Sequence, residues 1–363
     1  MITTFAIAAA AGATFFIIMF VLSLAGVLTW VERKESAVMQ DRIGANRAKI
    51  LGLRLWGLFH IIADAVKMFT KEDFVPNTPH RFLHTLAPIL AIFFALVSFA
   101  VIPFGNAIRI AGHTVGLQVA DLNIGLLYVF AMMSVGVYGV VLAGWSSNNN
   151  YSLLGGVRAS AQMISYEITF GLTLVGIIMI FQTLSLAEIV RAQGGLLFGF
   201  LPAWGVFYQP LGCLLFLIAG IAETKRIPFD IPEGESEIIG FFVEYSSMKF
   251  GMFMFTDFIE TVLISALVTT FFFGGWQVPW LADTGFVFPW GATWNMGMWV
   301  VEILRVGAFI VKVCFFCWFL LLVRWTLPRF RFDQLMHLGW KILLPLSLLN
   351  TMVTAALVLW LGR

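Results

Sequence analysis

The sequence predicts an all-α, polytopic membrane protein, and three observations carry that reading. Sixty per cent of the 363 residues are hydrophobic, only 12% are Asp, Glu, Lys or Arg, and the mean hydropathy is +0.92. An ordinary soluble domain is about 45–50% apolar and about 25% charged. With half the usual charge the chain cannot cover a water-facing surface, which excludes a soluble enzyme, a disordered tail and a nucleic-acid-binding domain. The third observation is that the apolar residues fall in long runs.

A helix crossing a ~30 Å hydrocarbon core needs about 20 mostly apolar residues. That window finds eight spans, at about 7–31, 83–101, 124–144, 163–181, 205–222, 250–274, 298–323 and 338–361. The first is read as an anchor and not a signal peptide: no Lys or Arg precedes it, it is long, and no small-residue cleavage site follows. Between spans one and two, Leu51, Leu55, Leu58, Ile62 and Phe69 stand near helical spacing, with His60, Asp64 and Lys67 on another face. This predicts an amphipathic helix over about 51–69 in the membrane interface.

Basic residues concentrate in the odd-numbered loops. The segment after span one holds Arg33, Lys34, Arg42, Arg47, Lys49, Arg54, Lys67, Lys71 and Arg81. Arg158, Lys225, Arg226, Arg324, Arg329, Arg331 and Lys341 add to the same side, against Arg109 and Arg191 on the other. The positive-inside rule then places both termini on the periplasmic or intermembrane side. The expected organisation is one membrane domain over 1–363, a basic segment over 32–82, and an acidic loop over 222–244 facing the cytoplasm or matrix.

Charges inside spans are costly and mark function by default. Glu167 begins span four. Asp257 and Glu260 lie one turn apart in span six. Span seven carries Glu302 and Arg305, spaced to pair with each other, and Lys312, which needs a partner or a wet cavity. Between spans five and six, Glu223, Asp230, Glu233, Glu235, Glu237 and Glu244 place six carboxylates within 22 residues, against only Lys225 and Arg226. Pro228 and Pro232 forbid a continuous helix there, and a helix is expected to restart near Glu233, with Glu237 and Glu244 on one face. Carboxylates so close cannot all ionise freely, which suits them to carry protons. The stretch 144–158, rich in Ser, Asn and Gly, reads by itself as a turn-rich connector.

Cys213, Cys314 and Cys317 all lie in apolar runs, so no disulfide framework is expected. The C-x-x-C of Cys314 and Cys317 has Phe, Trp and Leu neighbours and reads as helix packing. No metal site and no catalytic residue is expected.

Five stretches together carry a resemblance. They are Glu32-Arg33-Lys34 with 40–46, then 63–72, 144–167, 222–237 and 328–336. In this order and spacing the chain closely resembles the H-subunit family of NADH-quinone oxidoreductase, called subunit 1 in mitochondrial complex I. The resemblance runs from Glu32 to Asn350. It implies a membrane subunit at the joint between the electron-transfer arm and the proton-pumping arm of a respiratory complex, lining the chamber by which a long-tailed quinone, ubiquinone by similarity to the mitochondrial form, reaches a neighbouring subunit. FMN and iron–sulfur clusters would belong to partner subunits, with none bound by this chain. The partners implied are peripheral-arm quinone-site and iron–sulfur subunits, small membrane-arm subunits and membrane lipid. The implied location is a bacterial or mitochondrial inner membrane.

Carried over by position, Arg33, Arg42, Asp64 and Arg324 match the family's quinone cavity, with Phe250, Met254 and Phe255 near the tail path. Tyr166, Glu167, Glu223, Asp230, Glu233, Glu235, Glu237 and Glu244 match its acidic path. Two departures stand out. Ala45 replaces a frequent Pro in a Gly-Pro-Asn turn, and Asp257 replaces a Glu, which shortens its reach into that path. The rival readings are the related membrane subunit of an energy-converting hydrogenase, a stand-alone proton-coupled transporter, which would call for internal pseudo-symmetry that the sequence lacks, and a purely structural anchor.

Overall fold

The computed structural model describes residues 2–76, 80–110, 113–197, 199–234 and 237–361. Glu235, one of the expected acidic-path residues, lies outside them. The described chain is a bundle of helices. Seven are long and apolar enough to cross a membrane, lying within α1 (Ile2–Met39), α3 (Arg81–Val97, extended by a 3-10 turn to Val101), α4 (Gly125–Ser146), α5 (Asn150–Phe181), α9 (Ser247–Phe272), α10 (Met298–Thr326) and the run Phe332–Trp360.

The eighth apolar helix is shorter. Span five divides into α7 (Gly205–Tyr208) and α8 (Pro210–Glu223), with Gln209 (φ −137, ψ 70) breaking the helix before Pro210. Fourteen residues reach only about 21 Å at ~1.5 Å each. Gln209 is buried, and its side chain donates to Thr354 Oγ1 at 2.7 Å. A Cβ on Gly176 would stand 2.0 Å from its Nε2, so glycine is needed there. The last run comprises α11 (Phe332–His337), a π-helical turn (Leu338–Leu343) and α12 (Leu344–Trp360). Pro345 follows the turn and has no N–H to bond the carbonyl four residues back, a reason for the wider turn before it.

Helix α9 is the hub, packing against α1, α3, α8 and α10. From Thr256 to Phe272 every residue but Glu260 is buried. Its hydroxyls cause no polar penalty: Thr261, Ser265, Thr269 and Thr270 each donate to the carbonyl four residues earlier, at 2.7–2.8 Å. Phe216 of α8 packs on Phe271 and Phe272 from the other side.

Among the described residues, three small antiparallel sheets lie in the loops at one end of the bundle: β1 (Ile108–Ile110) with β2 (His113–Val115), β3 (Leu196–Leu197) with β4 (Leu201–Pro202), and β5 (Leu281–Ala282), β6 (Gly285–Val287) and β7 (Thr293–Asn295) in order. The opposite end holds the basic segment, the α4–α5 turn, residues 224–246 and residues 327–331.

Three further sequence expectations change. The stretch 144–158 is helical except at residues 147–149, because α4 runs to Ser146 and α5 starts at Asn150. The helix over 51–69 is smaller, a 3-10 turn at Leu55–Gly57 and then α2 (His60–Thr70). Leu55, Trp56 and Gly57 all have positive φ (38, 52 and 90), and Gly57 lies so close to Ala45 that a Cβ would stand 2.0 Å from the Ala45 oxygen. Among the described residues no helix restarts near Glu233. From Glu237 to Ser246 the chain turns, with Ile239 (φ 69) and Gly240 (φ 120) in conformations that no right-handed helix tolerates. Glu237 and Glu244 therefore do not share a helix face.

Candidate functional site

Midway along α9 the intramembrane acids meet a buried lysine. Lys225 Nζ lies 3.3 Å from Asp257 and 3.1 Å from Glu260, and its side chain is 2% exposed. The one-turn spacing of Asp257 and Glu260 aims both at one ammonium. Burial alone pulls Lys225 below its ordinary pKa, but Glu260 and Asp257 outweigh it and hold the lysine above that value, charged. Glu233 comes within hydrogen-bonding reach of Asp257. Burial, then Asp257 and Asp230, push its carboxyl well above the usual range.

A second layer joins this cluster to α1 and α10. Glu32 accepts from Arg324 at 2.8 Å and from Arg226 at 3.1 Å, and the Arg226 guanidinium stacks 4.0 Å from the Phe258 ring centroid. Arg329 reaches the buried Asp230 at 2.5 Å. Burial raises the Asp230 carboxyl, and Arg329 opposes the rise without cancelling it. Glu223, buried at the end of α8, directly precedes the lysine segment.

The other expected path residues are dispersed. Glu167, on α5, accepts from Ser134 on α4. Tyr166 is fully buried against Phe229 and donates to the Leu335 carbonyl at 2.9 Å. Glu237 is exposed and pairs with Arg158 at 2.9 Å. Glu244 accepts from Asn149 Nδ2 at 2.8 Å, while Asn149 Oδ1 caps α5 through the Tyr151 N–H. The polar stretch read as a plain connector thus anchors one acid through its cap.

The expected quinone residues fall in four places, of which one gathers several of them. Arg33 on α1 and Asp64 on α2 pair at 2.6 Å. Next to them α1, α2 and α9 converge at Gly26, where a Cβ would lie 3.5 Å from Ile61 and 3.9 Å from Phe255, and Met68 of α2 packs over Gly251. Met254 is exposed on the same stretch of α9. Phe250 instead turns to the acidic loop, stacking edge-on to Phe242 at 5.3 Å beside an open apolar depression of about 430 Å³ lined by Ile239, Phe242, Val243 and Tyr245. Arg42 bonds its own turn, to Gln40 at 2.7 Å and Ser36 at 3.5 Å, and Arg324 belongs with Glu32.

Residues 12–355 match the family model described as NADH dehydrogenase. The chain is 46% identical to the H subunit of NADH-quinone oxidoreductase from Flavobacterium johnsoniae, over 91% of this chain and 89% of that one. It is 46% identical to the H subunit numbered 1 from Geobacter metallireducens, covering 92% of each. It is 42% identical to the H subunit from Bdellovibrio bacteriovorus, over 92% of this chain and 91% of the relative. The chain belongs to the H-subunit family of NADH-quinone oxidoreductase.

Within that family frame, several residues at the joint were not singled out as site residues from the sequence. Glu32 bridges two arginines, Lys225 gathers two carboxylates, and Glu260 completes that pair. The sequence signal for Glu260 was its place one turn after Asp257. For Glu32 it was only the charged Glu-Arg-Lys ending an apolar run, and Arg329 gave no signal of its partner. The pairing of Glu302 with Arg305 holds at 2.7 Å, and Arg305 also reaches Asp283 at 2.6 Å. Lys312 finds its partners in the backbone. Its Nζ donates to the carbonyls of Phe273, Gly275 and Gln277 at 2.8, 3.0 and 2.7 Å and lies 4.5 Å from the Trp204 ring centroid, capping the end of α9. Cys317 is buried 3.3 Å from the Ser265 hydroxyl, and Cys314 is half-buried on the same helix.

Proposed function

We propose that the chain forms the quinone-access chamber of a proton-pumping NADH:quinone oxidoreductase and passes the charge change of quinone reduction into a buried acid cluster. The reading rests on one observation above others: Lys225, Asp257, Glu260, Glu233 and Asp230 share a water-poor joint against the middle of α9. The same helix, one to two turns earlier, meets α1 and α2 beside the Arg33–Asp64 pair. The relatives' name supplies the quinone and the NADH-linked complex. The electron carriers, FMN and iron–sulfur clusters, belong to partner subunits in this reading. The acceptor is a long-tailed quinone such as ubiquinone, and the basic end faces the cytoplasm or matrix.

Quinone reduction takes up two electrons and two protons. If electrons arrive first, negative charge appears next to the joint. At an effective dielectric of ~20, one charge ~10 Å away changes a carboxyl's protonation energy by roughly 1.7 kcal/mol, about 1.2 pKa units. Glu233 holds its proton by burial and by its acidic neighbours, and Lys225 keeps Asp257 and Glu260 compensated. Added negative charge draws a further proton into the cluster, and oxidation releases it. Glu223 and Glu167 extend the buried acids from the joint towards α4 and α5. Glu237, paired with Arg158 at the surface, and Glu244, held by Asn149, lie at the solvent end of such a path.

The test is a photoreactive quinone with a long tail, irradiated in the assembled complex. Labelling of this chain within Asp64–Met68 or Gly251–Phe255 supports the reading. Labelling confined to other subunits at saturating probe refutes it.

A further inference from the structure

The loop between α9 and α10 carries a feature that the proposed function leaves unused. From Trp276 to Gly297 the 22 residues include six aromatics, Trp276, Trp280, Phe286, Phe288, Trp290 and Trp294, and a single charged residue, Asp283. Asp283 is already committed to the buried Arg305 at 2.6 Å. Phe286, Phe288 and Trp290 stack in a near-parallel ladder, with centroids 5.7 and 4.6 Å apart and planes within 12°. Trp290 is 72% exposed and Trp294 64%. All three residues of β7 are exposed. An aromatic, effectively uncharged sheet face of this kind is poorly solvated and needs cover.

Its occupant follows from what it adjoins. Immediately after β7, α10 opens with exposed Trp299 and Val300, and its exposed stripe continues through Ile303, Val311, Phe315 and Trp318. Those residues recur at helical spacing along a helix long and apolar enough to cross a membrane, so the stripe faces acyl chains. The ladder thus adjoins the outer end of this stripe in the chain, Trp294 standing just before Trp299. Tryptophan suits the depth where acyl chains give way to headgroups because its ring is apolar while its indole N–H can donate to headgroup oxygens. A loop meant for water would carry more charge; between Trp276 and Gly297 there is only Asp283, exposed but paired with Arg305.

We propose that the β5–β7 sheet is a lipid-docking platform. Its aromatic ladder lies in the headgroup layer of the membrane face opposite the basic end and anchors the outer ends of α9 and α10, where Lys312 and the Arg305 pair already pin the loop. The occupant is phospholipid and not a neighbouring polypeptide.

The experiment uses the whole complex in native membranes. The photo-crosslinking residue p-benzoylphenylalanine is introduced in place of Trp290, in place of Trp294, or at Ile303 as a lipid-facing reference. The β7 position bears on an exposed face, so the Trp294 variant keeps the test open if the Trp290 variant fails to assemble. After irradiation, the chain should carry phospholipid-mass, phospholipase-sensitive adducts from position 290 or 294 at a yield comparable with that from Ile303. A crosslink to another polypeptide overturns the proposal in favour of a protein partner. Lipid adducts from Ile303 alone overturn it in favour of a loop standing in water.

Discussion

Replacing Glu233 by Gln asks whether the acid cluster works by holding a proton. Glu233 is set against Asp257 and Asp230, and burial contributes most to the rise of its pKa. Burial takes the carboxyl out of water and the neighbouring acids add like-charge repulsion, so both causes favour its protonated form. The folded protein therefore holds the Glu233 proton to a higher pH than an unfolded glutamate, whose value is near 4.5. The sign follows from proton counting. Between those two values the native state binds more protons than the unfolded state, so wild-type stability falls as pH rises, by at most about 1.4 kcal/mol per pH unit, and levels off above the native value.

Gln copies the protonated acid and has no proton to lose. The Glu233→Gln complex should therefore be the more stable of the two at neutral pH, and the difference should shrink by at most about 1.4 kcal/mol per pH unit as pH falls towards the ordinary carboxyl value. Thermal unfolding of the solubilised complex across that pH range measures this, and proton pumping in proteoliposomes measures the function. The variant should assemble and oxidise NADH while losing most of its pumping. A variant less stable than wild type at neutral pH would mean that Glu233 is an ionised, paired carboxylate. Full pumping would remove it from the path.

Other perturbations separate structural from functional charges. Glu32→Gln leaves Arg226 and Arg324 without their shared carboxylate; it should cost about 3 kcal/mol, seen as a lower unfolding temperature or a reduced yield of assembled complex. Asp64→Asn breaks a pair whose side chains are 46% and 34% exposed, so stability should change by less than about 1 kcal/mol, while the apparent KM for a long-tailed quinone rises more than kcat falls. Lys312→Met removes three bonds to the carbonyls that end α9; hydrogen exchange at 273–277 should speed up by at least about tenfold, the equivalent of ~1.4 kcal/mol, with quinone reduction retained. Glu237→Gln affects a surface pair with Arg158 and should lower pumping far less than Glu233→Gln.

The long helices were legible because a spanning segment must be apolar over its whole length, whatever it packs against. Span five was legible only as an apolar run: the break at Gln209 depends on Thr354 and Gly176, which no local window contains. The acids were legible as a cluster but their grouping was not. Pro228 and Pro232 announce a non-helical stretch, whereas the turn at Ile239 and Gly240 depends on tertiary packing, and it separates Glu237 from Glu244. Lys225 stands more than 30 residues before Asp257 and Glu260 in sequence, and Arg226 and Arg324 lie far from Glu32. Such pairings arise when helices dock, and hydrophobic period carries no trace of them. Residue type did reveal that each intramembrane charge needs a partner. For Lys312 that partner proved to be three backbone carbonyls, which a search among acidic side chains could not have found.

The central claim, that the buried carboxyls gathered against the middle of α9 exchange protons as the quinone changes redox state, is tested most directly by infrared difference spectroscopy. The assembled complex is compared with its quinone oxidised and reduced. A protonated-carboxyl carbonyl band should appear in the wild-type difference spectrum and be lost or reduced in Glu233→Gln. A wild-type spectrum without any carboxyl change, or one that the substitution leaves intact, would contradict the claim.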